Sequence, residues 1–147
     1  WAHILGACVL IGTGAGIAFF MLMAHRSRDP ALIAHVAGTV VVADFLFTAS
    51  AVIVQPITGV LLARAIGWPL DSQWILWSVG LYLFIGACWL PVVWMQARMR
   101  ALARSAAATG APLPPAYFRL YRWWFALGWP AFGAILVLLG LMVVRPA

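Results

Sequence analysis

Charged residues are almost absent from four long stretches of this sequence, and the few that exist are gathered between or beside those stretches. The chain has 147 residues, of which nine are basic and three acidic, and every base is arginine while every acid is aspartate. An apolar stretch of about 20 residues can cross a hydrocarbon core about 30 Å thick as a helix. The pattern therefore predicts a chain that spans a membrane.

The composition supports this and favours helices. Hydrophobic residues make up 66% of the chain, against about 45 to 50% in soluble domains. The apolar runs are continuous, whereas the strands of a membrane barrel alternate polar and apolar residues over about 10 positions. We predict an all-α integral membrane protein, one transmembrane domain forming a four-helix bundle, with spans at about 3–24, 32–63, 73–96 and 117–144.

The arginines predict an orientation, because cytoplasmic loops of membrane proteins are enriched in basic residues. Seven lie in or beside the loop that joins spans 1 and 2 or the segment that joins spans 3 and 4, and two lie on the other side. Both termini are therefore expected outside the cytoplasm, in the bacterial cytoplasmic (inner) membrane. Arginines beside apolar spans act as anchors and lipid-headgroup contacts, so we expect the bilayer as partner and no nucleic acid.

Packing partners are expected within and beyond the chain. Gly12 and Gly16 form a small-xxx-small face on span 1, a pattern typical of close helix contacts in membranes. Other membrane subunits or further copies of this chain are expected as partners. The sequence starts at Trp1 without an initiator methionine, and we expect further residues to precede it.

Asp44 is the one acid inside an apolar span. An aspartate at a helix centre costs about 2.5 to 3.5 kcal/mol on insertion scales, so it needs a compensating partner or function. The functional interpretation is a carboxyl that handles protons or orients a ligand, with Thr48 one turn later. The structural interpretation is an ion pair with Arg98 or Arg122, or a protonated carboxyl bonded to a neighbouring helix.

The three histidines divide by depth. His3 lies at the outer end of span 1, whereas His25 and His35 lie at the inner ends of spans 1 and 2. His3 and His35 therefore cannot form one axial pair on a haem iron. His3 could act alone or with Met142, and His25 could meet His35, unless each ring simply lies at the membrane border. No Cys-x-x-Cys-His occurs, which excludes covalently attached c-type haem.

Several segments, in order along the whole chain, resemble a family of predicted bacterial integral membrane proteins of unknown function. They are His3–Gly6, Ala43–Thr48, Gln55–Gly59, Cys88–Trp94 and Trp124–Phe132. The His-Ile-Leu-Gly opening is also similar to the first helix of CopD-type copper-resistance proteins and HemJ-type protoporphyrinogen oxidases. The HemJ resemblance implies haem binding through His3. It does not imply the oxidase activity, because that group relies on a lysine and this chain has none.

Three functions remain open from the sequence. The chain binds haem b or serves membrane redox chemistry, alone or as a small subunit of a complex. Alternatively it is a non-catalytic membrane scaffold, or it transports a small solute, proton or metal ion along a path that includes Asp44. No catalytic residue or metal site is indicated, so enzymatic activity is left open.

Overall fold

The computed structural model describes residues 1–145, and all regular structure in that part of the chain is helical. The helices are α1 (Ala2–Ser27), α2 (Pro30–Ala43), a π-helical turn (Asp44–Thr48), α3 (Ala49–Ala65), α4 (Gln73–Thr109) and α5 (Pro115–Val144). The π-helical turn joins α2 and α3 into one rod, so 4 helical stretches are long and apolar enough to cross a membrane. The prediction of an all-α four-helix membrane protein is confirmed.

Short connections make neighbouring stretches antiparallel. Between α1 and α2, the Asp29 carboxylate accepts a hydrogen bond from the Ala31 amide at 2.9 Å and caps α2, whose first residue is Pro30. Gly110 ends α4 with a φ of 64°, a left-handed conformation that suits glycine. These two connections lie at the arginine-rich end of the bundle, and the start of α1, the end of α5 and residues 66–72 lie at the opposite end.

The second stretch is irregular in its middle. The Ala49 amide donates to the carbonyl of Asp44, five residues earlier, rather than to that of Phe45, four residues earlier. The turn therefore holds one extra residue and is wider than an α-helical turn. Single π-helical turns of this kind occur frequently at functional sites. Further on, Pro56 has no amide hydrogen to donate to the Val52 carbonyl four residues earlier. The Tyr82 hydroxyl of α4 donates to that carbonyl instead, which satisfies a backbone group that lipid could not.

The hydrophobic core occupies only the arginine-rich half of the bundle. Four helices, α1, α2, α4 and α5, each contribute three buried residues spaced three or four apart, which places them on one face. They are Ile17, Met21 and Ala24 of α1; Ile33, Ala37 and Val40 of α2; Met95, Met99 and Ala103 of α4; and Tyr117, Tyr121 and Trp124 of α5. Toward the opposite end, the buried residues of α3, and those of the first turns of α4, are small or polar, such as Ala51, Gln55 and Ser78.

Two local expectations differ from the structure. The third span is expected to end at about residue 96, but α4 continues to Thr109, so it has 37 residues and a length of about 56 Å, well beyond the hydrocarbon core. The glycine face of α1 is also not a contact within the chain. A side chain added at Gly12 or Gly16 would meet no atom within 4 Å, because α2 and α3 pack on other faces of α1.

Candidate functional site

A buried polar centre surrounds Asp44 where the π-helical turn begins. Asp44 is 3% exposed, although the next three residues face outward. The wide turn buries Thr48 together with Asp44, so both polar side chains face the interior. The Trp89 indole of α4 donates to Asp44 Oδ1 at 3.3 Å. The Thr48 hydroxyl is also buried, beside this carboxyl. Among the described residues, no group lies in good hydrogen-bond geometry with it.

Gln96 connects this carboxyl to the fourth helical stretch. Its amide is oriented by its partners: the nitrogen donates to Asp44 Oδ2 at 2.7 Å, and the oxygen accepts from the Trp124 indole of α5 at 3.2 Å. Gln96 is 0% exposed. An indole N–H can only donate, so Trp124 dictates that the amide oxygen faces it and the nitrogen faces Asp44. Both carboxyl oxygens therefore act as acceptors, and both donors are neutral.

Of the two structural interpretations of Asp44, these contacts fit the carboxyl bonded to a neighbouring helix rather than the ion pair. Arg98 and Arg122 are exposed on the bundle surface, and the polar partners of Asp44 are Trp89 and Gln96. A charged guanidinium reaches the headgroup region from its helix more easily than it enters the interior. Neutral donors from α4 hold the carboxyl instead. The proton-handling role of Asp44 is untested and stays a prediction.

His3 lies in a second polar group, between α1 and α3 at the opposite end. Its Nδ1 is 3.1 Å from Thr58 Oγ1, and the Gln55 amide donates to the His3 carbonyl at 3.1 Å. The imidazole rests against Gly59, where an added Cβ would come within 3.1 Å of His3 Cε1. Glycine at this position thus lets the ring lie close to α3. The ring is half-buried, and it contacts α3 at both Thr58 and Gly59.

The hydrogen bonds of Thr58 determine how the imidazole is presented. Thr58 Oγ1 lies 3.0 Å from the carbonyl of Val54 and 3.1 Å from that of Gln55, so its proton is directed at the α3 backbone. Its oxygen then accepts from His3 Nδ1–H. In the neutral ring the other nitrogen, Nε2, consequently carries the free lone pair. Histidines that ligate metals are oriented by such a hydrogen bond on the second nitrogen.

Met142, the predicted second ligand, is partly buried near the end of α5. The antiparallel topology places it at the same end of the bundle as His3. The polar contacts of His3 are with α3, however, and none involves Met142. Its role as a ligand stays a prediction.

His25 belongs to an aromatic cluster at the arginine-rich end. Its ring stacks on Tyr121 at 3.6 Å between centroids with 5° between planes, and its Nδ1 is 3.3 Å from the Tyr117 hydroxyl. Tyr121 continues the cluster to Trp124, with ring centroids 5.7 Å apart. Aromatic side chains of α5 therefore occupy the space around His25.

His35 faces a different environment, so the structure does not bring the two inner histidines together. It is exposed and lines a groove between α2 and α4 with Thr39 and Arg100. The contacts of neither ring support the expected pairing of His25 with His35 across the short loop. Within residues 1–145, no three histidine, cysteine, aspartate or glutamate side chains cluster as a metal site.

Asp44 and Thr48 could be predicted as polar residues of interest from the sequence, but the partners of Asp44 could not. Trp89 and Trp124 lie in segments that carry the family resemblance, and neither is predicted as a partner, because an indole reads as apolar in a span. Gln96 gave little signal, because it ends the predicted span 73–96 and is followed by arginines.

A family model described as predicted integral membrane protein (DUF2269) matches residues 1–146. No curated protein and no solved structure matches the chain. The match supports the expected resemblance to membrane proteins of unknown function, whereas the likeness to CopD-type and HemJ-type proteins stays a prediction.

Proposed function

The chain belongs to this family of predicted integral membrane proteins, and from that premise we propose that it binds haem b and serves membrane redox chemistry. His3 is the proposed axial ligand. The observation that carries the proposal is the His3–Thr58 hydrogen bond of 3.1 Å, since it leaves Nε2 of a positioned imidazole free. Redox subunits need a ligand held in this way, whereas a border histidine in a scaffold does not.

The surroundings of His3 fit a haem in chemical terms. A haem has a large apolar macrocycle and needs one or two axial ligands, and when bound it supplies one-electron chemistry. Ile4 and Leu5 beside His3 are about three-fifths exposed, at 59% and 60%. The chain thus offers an oriented imidazole next to uncovered apolar surface. Thr58 and Gly59 keep the ring in place, and Met142 is the proposed second ligand at the same end.

The proposal includes an orientation and a setting. The excess of arginines at one end places that end in the cytoplasm, so His3 lies toward the outer face of a bacterial cytoplasmic membrane. Much of the apolar surface of the spans is exposed, with 6% to 28% of each most apolar window buried. Lipid covers this surface, and we propose that other membrane subunits or a second copy of the chain cover part of it.

An absorption spectrum of the detergent-purified protein, expressed with ample haem supply, tests the proposal. We expect a Soret band in the wild type and its loss in His3→Ala. Thr58→Val should weaken haem binding by about 10- to 100-fold, because it removes the hydrogen bond that orients the ligand. The occupancy is measured as haem per protein after titration with haemin.

His35→Ala is the matched control, because His35 is an exposed histidine remote from Thr58, and it should keep the full Soret band. A wild-type protein without a Soret band would exclude haem binding. A band that survives His3→Ala unchanged would exclude His3 as the ligand.

A second candidate function, proton or small-ion transfer through the membrane, rests on Asp44. A carboxyl buried inside the spans marks ion and proton paths in membrane proteins by default, and here it lies at a π-helical turn beside the buried hydroxyl of Thr48. Its neutral donors leave the carboxyl able to exchange a proton without breaking an ion pair.

Proteoliposomes with a pH-sensitive dye inside test this candidate. Under a potassium gradient with valinomycin, wild-type vesicles should acidify several times faster than empty ones, and Asp44→Asn should reduce the rate to that of empty vesicles. Asp71→Asn, at an exposed aspartate in the loop, should keep the wild-type rate. Equal rates for wild-type and empty vesicles would reject proton transfer.

A further inference from the structure

A groove between α2 and α4 at the arginine-rich end has the features of an anion site. Its volume is about 400 Å³, and it is lined by Ala34, His35, Gly38, Thr39, Val42 and Arg100. The polar and basic residues of the groove, His35, Thr39 and Arg100, lie toward the membrane border, and the apolar side chain of Val42 lies deeper. His35 and Val42 are seven residues apart on α2, a distance of about 10 Å along the helix.

Arg100 lies in this groove against α2 rather than extending freely from α4. It is the one partly buried arginine among those of the described chain, since the other eight are exposed. Its guanidinium lies against the backbone of α2 at Gly38, where an added Cβ would come within 3.3 Å of Arg100 Nε. A Cβ at position 38 would require Arg100 to shift by a few tenths of an ångström, and a larger side chain would require more. The absence of a side chain on Gly38 therefore positions the charge of Arg100.

The chain has no acid available to neutralise Arg100. Its three acids are all aspartates. Asp29 caps α2 through the Ala31 amide, and Asp44 accepts from Trp89 and Gln96. Asp71 is in the loop at the opposite end, between α3 and α4. A counter-charge for Arg100 must come from outside the chain, and a guanidinium fork matches the oxygens of a phosphate.

We propose that this groove binds the phosphate of an anionic phospholipid headgroup. Arg100 donates to the phosphate oxygens, and the His35 ring and the Thr39 hydroxyl supply further hydrogen bonds at the border. The apolar part of the lipid passes Val42, which is 53% exposed on the outer surface of α2. Basic pockets between transmembrane helices bind acidic headgroups in this manner. The site is independent of His3 and of Asp44.

Native mass spectrometry of the detergent-purified protein with added lipid tests the site. The probes are phosphatidylglycerol, phosphatidylcholine and inorganic phosphate, each titrated separately. We expect retention of phosphatidylglycerol well above that of the zwitterionic lipid, and a weakening of about fivefold or more in Arg100→Gln. Arg98→Gln, at an exposed arginine two residues earlier on the same helix, should keep wild-type affinity.

Two further variants keep the test decisive if Arg100→Gln does not fold. Gly38→Val fills the space against which Arg100 lies, and His35→Ala removes a second donor; both should weaken phosphatidylglycerol binding. Equal retention of the two lipids would overturn the proposal, as would an equal loss in Arg98→Gln and Arg100→Gln. Saturable binding of inorganic phosphate that blocks phosphatidylglycerol would identify a soluble phosphate ligand and would also overturn it.

Discussion

Gln96→Leu is expected to lower the free energy of unfolding by about 3 kcal/mol, because it removes a hydrogen-bond partner from each of two buried polar groups. The Trp124 indole loses its acceptor, and the Asp44 carboxyl loses the donor on Oδ2. A leucine of similar size fills the space, so the loss reflects hydrogen bonding rather than a cavity. Unfolding of the purified protein by titration with SDS in mixed micelles measures the effect.

Gln73→Leu provides the matched control, since Gln73 is an exposed glutamine at the start of the same helix. It should change the free energy of unfolding by less than about 0.5 kcal/mol. The double variant with Asp44→Leu should recover part of the loss, because it removes the carboxyl that Gln96→Leu leaves with a single donor. Similar stabilities of Gln96→Leu and Gln73→Leu would contradict the polar centre around Asp44.

Tyr117→Ala is expected to destabilise the protein by about 3 kcal/mol, because it opens a cavity in the one densely packed part of the bundle. Tyr117 is 0% exposed, and its ring stacks on His25 with centroids 5.8 Å apart. In a membrane the stability that is lost comes mainly from packing. Lipid tails offer apolar contacts to the unfolded state as well, so the hydrophobic effect contributes little. Thermal unfolding in detergent measures the change.

Trp123→Ala and Tyr117→Phe separate the contributions to this effect. Trp123 is an equally large aromatic residue on α5 but is 64% exposed, so its loss should cost far less. Tyr117→Phe keeps the ring and removes only the hydroxyl near His25 Nδ1, with a cost of about 1 kcal/mol. A larger effect for Trp123→Ala than for Tyr117→Ala would show that the core does not lie where the structure places it.

The membrane-spanning architecture could be predicted because it depends on composition along the chain. Each apolar run had to be long enough to cross the bilayer and had to satisfy its own backbone hydrogen bonds, which leaves the helix as the local answer. The helix ends were less predictable. α4 extends beyond the predicted span to Thr109, because alanines and arginines form helices readily in water as well as in lipid.

The partners of each polar residue could not be predicted in the same way. Whether Asp44 meets an arginine or an indole depends on how four helices rotate about their axes, and a π-helical turn alters that rotation within the second stretch. The same holds for His25 and His35, which are close in sequence yet face α5 and α4 respectively. Hydropathy contains no information on rotation within a bundle.

The sequence by itself determined that this protein lies in a membrane as four antiparallel helical stretches, and that seven arginines gather at one end. Those properties follow from the free energy of transferring each segment between water and lipid, which is a local sum over residues. Only the tertiary structure decided that Asp44 is held by neutral donors, that His3 Nδ1 meets Thr58, and that Arg100 lies in a groove. These depend on contacts between distant segments, where a rotation of one helix exchanges buried and exposed side chains.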